Sequence, residues 1–493
     1  MSKKIVIVGG GTAGWLSALY VNKIYNGEAD ITLIESEDIG ILGAGEGSVP
    51  SFVGFLIELG IDEKEFLNYV NGTHKIGVHF DNWNNDGDTY LHDFFSTDIS
   101  INKGASAEHL GYIFKNGFDF NEYSLSKDMA YKNLSPIGID GKEIINHSFH
   151  FDAKLTAQYL RKVAESRGVK RIEGIVNEFG KDTFGNIRTM TLQTGELIDA
   201  IHFVFDCSGF ARRIIGKEYN SKWISYKDKL TVNSAIPFQL PQSNDKIEPV
   251  TKAVAMKYGW MWQIPLQNRW GCGYIFDDKY INSDEAKMEV EELLGTQIEV
   301  NKTLKFDAGR YHSAWINNCV AIGLSAGFIE PLEATSIGMQ AIALKNISKF
   351  NIDFKNPSKI NNYNLLMAHL NDDIADFLQF HYFTKRNDTE FWKYYNDEAN
   401  ISKTLYPKLD DLKNKLEIKF RKTIFAPESY TTVGLGIKYL DKNTFIDRYD
   451  VFKQNMPDID LYFEQLKQLR IKAKDKFLTE LDYLKENKKK YEI

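Results

Sequence analysis

The sequence predicts an α/β fold in which a β-sheet flanks the core and a mainly helical module follows toward the C-terminal end. Three observations predict it. A strand–turn–helix–strand pattern opens the chain, strand-like stretches return at 171–206 and 252–276, and helical periodicity takes over from about 338. At 493 residues the chain exceeds the roughly 250–300 residues one hydrophobic core supports. We therefore expect a discontinuous core over 1–345, with interleaved β-sheet segments, and a mainly helical module over 346–493.

Hydrophobic residues make up 43% and charged residues 26%, which is ordinary globular composition. The net charge of −7 and the lack of a basic arm exclude nucleic acid as an expected partner. Cys207, Cys272 and Cys319 lie far apart with no Cys-x-x-Cys pair, so neither a disulfide framework nor a metal site is expected. Such usage suits a reducing compartment. The first apolar run, Ile5 to Val8, is too short for a signal peptide, and no stretch approaches the roughly 18 apolar residues of a membrane helix. A soluble, cytoplasmic protein that does not touch membranes is the expectation.

The elements follow in order. Ile5–Val8 is a strand, three glycines form a turn, a helix covers about Thr12–Ile24, and Ile31–Glu35 is the second strand of a βαβ unit. Residues 153–167 have helical spacing, with Leu155, Tyr159 and Val163 on one face. The end of the chain, about 458–487, reads as one long helix, and Lys488–Lys490 as a solvated tail.

The opening unit has chemistry as well as a fold. Gly9-Gly10-Gly11-Thr12-Ala13-Gly14 fits G-x-G-x-x-G between strand and helix, the setting of a Rossmann-like dinucleotide site. Gly9 permits the tight turn, Gly11 the approach of a pyrophosphate, and Gly14 close packing of helix on strand. The helix start at Thr12 and Ala13 offers N–H groups to phosphate. Glu35 closes the second strand 21 residues after Gly14 (35 − 14), where an acid accepts hydrogen bonds from a ribose and disfavours a 2′-phosphate.

Two later segments bear on which dinucleotide binds. Val204–Gly209 and Val320–Gly327 are strands ending in small-residue turns, the second followed by a helix near Thr335. FAD proteins of the hydroxylase type return to their cofactor with such segments. Either alone is explained equally well by packing, but the three together favour FAD. Further on stands Gly259-Trp260-Met261-Trp262-Gln263-Ile264-Pro265, followed by Gly271-Cys272-Gly273-Tyr274. Alternation puts Trp260, Trp262 and Ile264 on one face of a strand, and core packing alone could explain that.

The full Trp-x-Trp-x-Ile-Pro match, ending at Pro265, resembles the motif that sets flavin-dependent tryptophan halogenases apart from flavin monooxygenases. The resemblance runs nearly the whole chain. It includes Gly43–Pro50, Asn71-Gly72-Thr73-His74-Lys75, His147–Asp152, Phe328–Glu333, His381–Thr384 and Asp482-Tyr483-Leu484. It implies an enzyme that uses FADH₂, O₂ and halide to make hypohalous acid and directs this oxidant to an electron-rich aromatic substrate. The Trp260–Pro265 segment would pack beside the flavin and keep the organic substrate from it.

Position by position, Lys75 matches the family's essential lysine and Glu333 its essential glutamate. An ammonium can orient and activate the electrophile, and a carboxylate can stabilise the cationic ring and take its proton. Without the resemblance, Lys75 after an Asn-Gly turn reads as a solvated side chain, the commoner case. Glu333 in an apolar stretch is unusual on its own account. By the same matching Glu46, Gly47, Val176, Leu324 and Ile337 lie along the flavin, and the amides of Thr335 and Ser336 bind halide. His92 and Phe94 flank the aromatic substrate.

The departures matter too. Ala334 stands where tryptophan-specific members usually have serine, and Ser336 where they have glycine. The stretch between Trp392 and Gly434 is short and lacks the aromatic insert that caps the amino-acid end of tryptophan. An indole-like or other electron-rich arene is therefore expected. With one dinucleotide fingerprint and none for NAD(P)H, a separate flavin reductase should supply FADH₂. The rivals are a single-component FAD monooxygenase, which would oxidise NAD(P)H by itself, and a flavin-binding protein without turnover.

Overall fold

The computed structural model describes residues 3–40, 45–94, 106–118, 124–143, 145–349, 352, 354–415, 424–474 and 476–491. Gly43, Ala44 and residues 416–423 of the short stretch before Gly434 lie outside these. Internal contacts divide the chain into two units: residues 1–71, 151–227 and 307–372, and residues 72–150, 228–306 and 373–493. The boundary expected from composition falls at 345/346. Contacts group the chain differently because each unit is assembled from three separated stretches.

The first unit is built on a six-stranded sheet in the order Trp315–Ile316, Cys319–Ala321, Phe203–Asp206, Lys4–Val8, Asp30–Glu35, Lys170–Glu173. Its pairings are parallel except for the hairpin at 315–321. Ile5, Val6 and Ile7 are wholly buried, as expected of a parallel strand covered on both faces. Helix Thr12–Ile24 runs as the sequence predicts and packs against helix Ala153–Ser166. The second helix buries a different face from the one expected. Ala153, Thr156, Ala157, Leu160 and Ala164 are buried with Tyr159, while Leu155 and Val163 are only half-buried. Small residues carry that stripe, letting the helix approach closely, and a count of large apolar side chains misses it.

The second unit holds a seven-stranded sheet in the order Leu304–Lys305, Ser234–Pro241, Arg269–Phe276, Gly259–Pro265, Thr251–Met256, Gly77–Asp81, Thr89–Asp93. Only the Thr251–Met256 and Gly77–Asp81 pairing is parallel. Helices dominate after Thr335, as expected. The long terminal helix, however, is two helices, Ile459–Lys474 and Glu480–Tyr491, separated by strand Phe477–Thr479. That strand pairs with Leu134–Gly138, and Phe477 joins a buried cluster with Ile76, Leu91, Met129 and Val250. The Thr479 hydroxyl accepts from the Asp482 N–H at 3.2 Å, which caps a new helix. Thr-x-x-Asp was the signal for this break. Lys488–Lys490 form the exposed last turn of that helix, where cations suit its dipole.

Candidate functional site

In the first unit the glycine turn is built as its residues require. Gly9 adopts φ +114°, and its N–H donates to the Ile34 carbonyl at 2.8 Å. A β-carbon on Gly14 would lie 1.9 Å from the Gly9 carbonyl oxygen, so only glycine lets the helix sit this close. A β-carbon on Gly11 would meet nothing within 4 Å, which leaves the approach to the helix start at Thr12 and Ala13 open. Glu35 ends its strand with its carboxylate over Gly10, where a β-carbon would fall 1.4 Å from Oε2. Arg171 donates to Oε1 of Glu35 at 2.6 Å, an orienting partner that local sequence reading did not supply.

The other residues expected along a flavin are placed unevenly. Gly47 is half-buried in strand Gly45–Gly47 beside Glu46. Burial, with Asp152 adding repulsion, pushes the Glu46 carboxyl up to about 7. Val176 packs into the apolar cluster of Val6, Val8 and Ile34, and its carbonyl accepts from Arg213 at 2.6 Å. Leu324 is half-buried in a short 3₁₀ turn, and Ile337 is buried in helix Thr335–Lys349. Gln340 of that helix was not anticipated. Its buried amide lies against Gly323 and Ala13, and its Oε1 has no hydrogen-bond partner among the described residues. An orphaned acceptor beside the glycine turn suits a site that takes a polar ligand.

Glu333 is 2% exposed and precedes the same helix. Between them Ala334 holds φ +53°, a left-handed conformation costing an L-residue roughly 1 kcal/mol. The chain thus turns sharply into the helix. Thr335 is buried and Ser336 exposed, and the N–H groups of a first helical turn have no intrahelical acceptors.

The second unit carries the remaining residues. Lys75 is 0% exposed at the end of strand Thr73–Lys75, and its ammonium lies 5.3 Å from the centre of the Phe94 ring. The solvated-turn alternative therefore fails: a lysine is almost never fully buried without a reason. Residues 148–150 pair with this strand, Thr73 opposite His150 and Lys75 opposite Ser148. The Thr73 hydroxyl donates to the Pro265 carbonyl at 2.8 Å, so the His150 Nδ1 at 2.9 Å must donate to it. Nε2 of His150 then accepts from the Thr251 hydroxyl at 2.9 Å. Burial, then the neighbouring Lys75 and His74, hold His150 well below the usual imidazole range, so it is neutral as this pattern requires.

Pro265 ends the tryptophan strand. Trp260, Trp262 and Ile264 share one face as expected, with the indoles 6.4 Å apart, while Met261 on the other face enters a separate core. Gly273 stands opposite Trp262 and leaves room for its ring. His92 is buried among aromatics, 5.7 Å from Phe377 and 6.2 Å from Phe425, which themselves stack at 3.9 Å. Phe377 and Phe425 were not singled out from sequence, since nothing local distinguishes them from core. The stretch after Trp392 is anchored: Lys408 pairs with Asp373 at 2.8 Å, and Ser402 and Thr404 donate to Asp376 at 2.9 Å.

Residues 4–449 match the tryptophan halogenase family. The chain belongs to that family, and it is an enzyme of the flavin-dependent halogenase class. It is 36% identical over 435 residues to tryptophan 7-halogenase RebH of Lentzea aerocolonigenes, covering 83% of this chain and 81% of that one. A tryptophan C-6 flavin-dependent halogenase from taromycin biosynthesis has a similar structure, with TM-score 0.89 at 26% identity over 99% of this chain and all of the other. The flavin-dependent halogenase Xcc4156 of Xanthomonas campestris gives 0.86 at 27%, over 99% and 98%. Among the described residues no helix is long and apolar enough to cross a membrane.

Proposed function

We propose that this halogenase takes FADH₂ from a separate reductase and, with O₂ and halide, delivers hypohalous acid through Lys75 to an electron-rich, indole-like arene. The observation that carries the proposal is the wholly buried Lys75 at the end of a strand whose other two side chains, Thr73 and His74, are held by hydrogen bonds. A buried ammonium binds a small neutral oxidant in competition with little water, so hydrogen bonding to it is strong. The open Gly11 approach, Glu35 over the turn and the Gln340 Oε1, without a hydrogen-bond partner among the described residues, support FAD as the flavin. Bound reduced flavin with O₂ would supply the two-electron oxidation of halide. Thr335 and Ser336 would offer N–H groups to the anion, and Glu333 would stabilise the cationic ring and take its proton.

For the substrate, the aromatic surroundings of His92 and the short stretch after Trp392 support an indole or similar arene over free tryptophan. The test is mass spectrometry on a panel of indoles, phenols and tryptophan, incubated with a flavin reductase, FAD, O₂ and each of chloride, bromide and iodide. Halogenated indoles with a halide-dependent mass shift are expected. Hydroxylated products formed without halide would overturn the proposal.

A further inference from the structure

The terminal helix reaches the strand that carries Lys75. Glu480, its first residue, is 0% exposed and accepts twice from His74, the residue before Lys75. The His74 main-chain N–H donates to Oε1 at 2.8 Å, and the His74 ring nitrogen Nδ1 lies 2.9 Å from Oε2. The two partners are 406 positions apart, and His74 is itself 1% exposed. Its ring is boxed by His147 at 5.1 Å, Tyr483 at 5.1 Å and Phe149 at 5.9 Å.

Successive side chains of a strand point to opposite faces, so Thr73 and Lys75 share one face and His74 the other. Thr73 secures the first face through Pro265 and His150. Glu480 secures the second, and it holds main chain and side chain at once. A carboxylate that grips both leaves His74 neither translation along the strand nor rotation about it. The adjoining Lys75 inherits that rigidity at its backbone, where a small error in angle is magnified over a long side chain. Delivery of a diffusible electrophile to one carbon depends on such placement.

We infer that Glu480 is a positioning residue for Lys75, a role that rests on the delivery function proposed above for that lysine. Glu480→Gln keeps the size and one acceptor but cannot accept from both donors with full charge. The variant should consume FADH₂ and O₂ at the wild-type rate and yield about tenfold less halogenated product per FADH₂ oxidised. Glu480→Asp, which keeps the charge, should recover part of the yield. Hydrogen–deuterium exchange of the peptide containing Thr73–Lys75 should rise in Glu480→Gln without added flavin. A purely structural role would lower FADH₂ consumption and product together, and that result would overturn the inference. So would unchanged exchange with unchanged yield. Should Glu480→Gln not fold, the same measurements on Glu480→Asp and His74→Asn decide, with lost yield at constant FADH₂ consumption expected. Should the wild type make no halogenated product at all, the delivery reading fails, and the exchange result alone still shows whether Glu480 holds the strand.

Discussion

Replacing Gly273 with alanine puts one methyl group where the Trp262 indole already stands. The added carbon would lie 2.1 Å from Cη2 and from Cζ2 of that ring, against an ordinary contact of at least 3.4 Å. The ring must therefore move by about 1.3 Å (3.4 − 2.1), or the two paired strands must part. Trp262 is only 9% exposed and has Trp260 as a neighbour, so movement is resisted. Overpacking of this kind costs about 1–3 kcal/mol. With roughly 2–4 °C lost per kcal/mol in units of this size, Gly273→Ala should lower Tm by roughly 2–12 °C. The atoms in the way are the far edge of the indole, which phenylalanine lacks. Trp262→Phe should then be worth less than its usual loss in the alanine background, with a favourable coupling of at least ~1 kcal/mol in a thermal double-mutant cycle. Additive losses would show that the two residues do not meet, and the reasoning would be wrong.

The glycine turn separates binding from folding: Gly11→Val should lower Tm only slightly, because its β-carbon meets nothing and only the helix N-cap is weakened, yet abolish FAD binding in a fluorescence titration, whereas Gly14→Ala should damage both. Wild type should prefer FAD to FMN, which has no adenosine ribose for Glu35, and equal affinities would contradict that role. Glu46 tests the electrostatics of the apoprotein. Its folded pKa of about 7 lies above the value of 4.5 it has when exposed, so the folded state binds the extra proton and stability falls as pH rises through that window. Glu46→Gln should match wild type near pH 4.5 and exceed it by about 2–3 kcal/mol at pH 8 in urea unfolding, and a constant difference would refute the shift. In kcat/KM, indole should equal or exceed free tryptophan, and a clear preference for tryptophan would mean that another element caps its amino-acid end.

What could be read from the chain was local. The Gly9–Gly14 turn, Glu35 and the Trp260–Pro265 face each rest on neighbours in sequence and on a period of two or a fixed turn geometry. What could not be read was tertiary. Nothing near Glu35 names Arg171, and nothing near His74 names Glu480, because each partner arrives from a strand or helix far along the chain. Gln340 was missed because one polar residue in an apolar helix looks like an ordinary exposed position until the packing shows it buried. Lys75 is the instructive case. Its local sequence argued for a solvated turn and the resemblance for chemistry; burial removes the first, and the second is the reading proposed above.

Lys75→Ala offers the most direct measurement. If the lysine acts on hypohalous acid after the flavin has done its work, the variant should bind FAD and consume FADH₂ and O₂ at near the wild-type rate. Its halogenated product should fall by at least ~10²–10³-fold, on the order of 3–4 kcal/mol of transition-state stabilisation. Stopped-flow flavin spectra paired with product mass spectrometry read both halves in one preparation. Normal halogenation by Lys75→Ala would contradict the account.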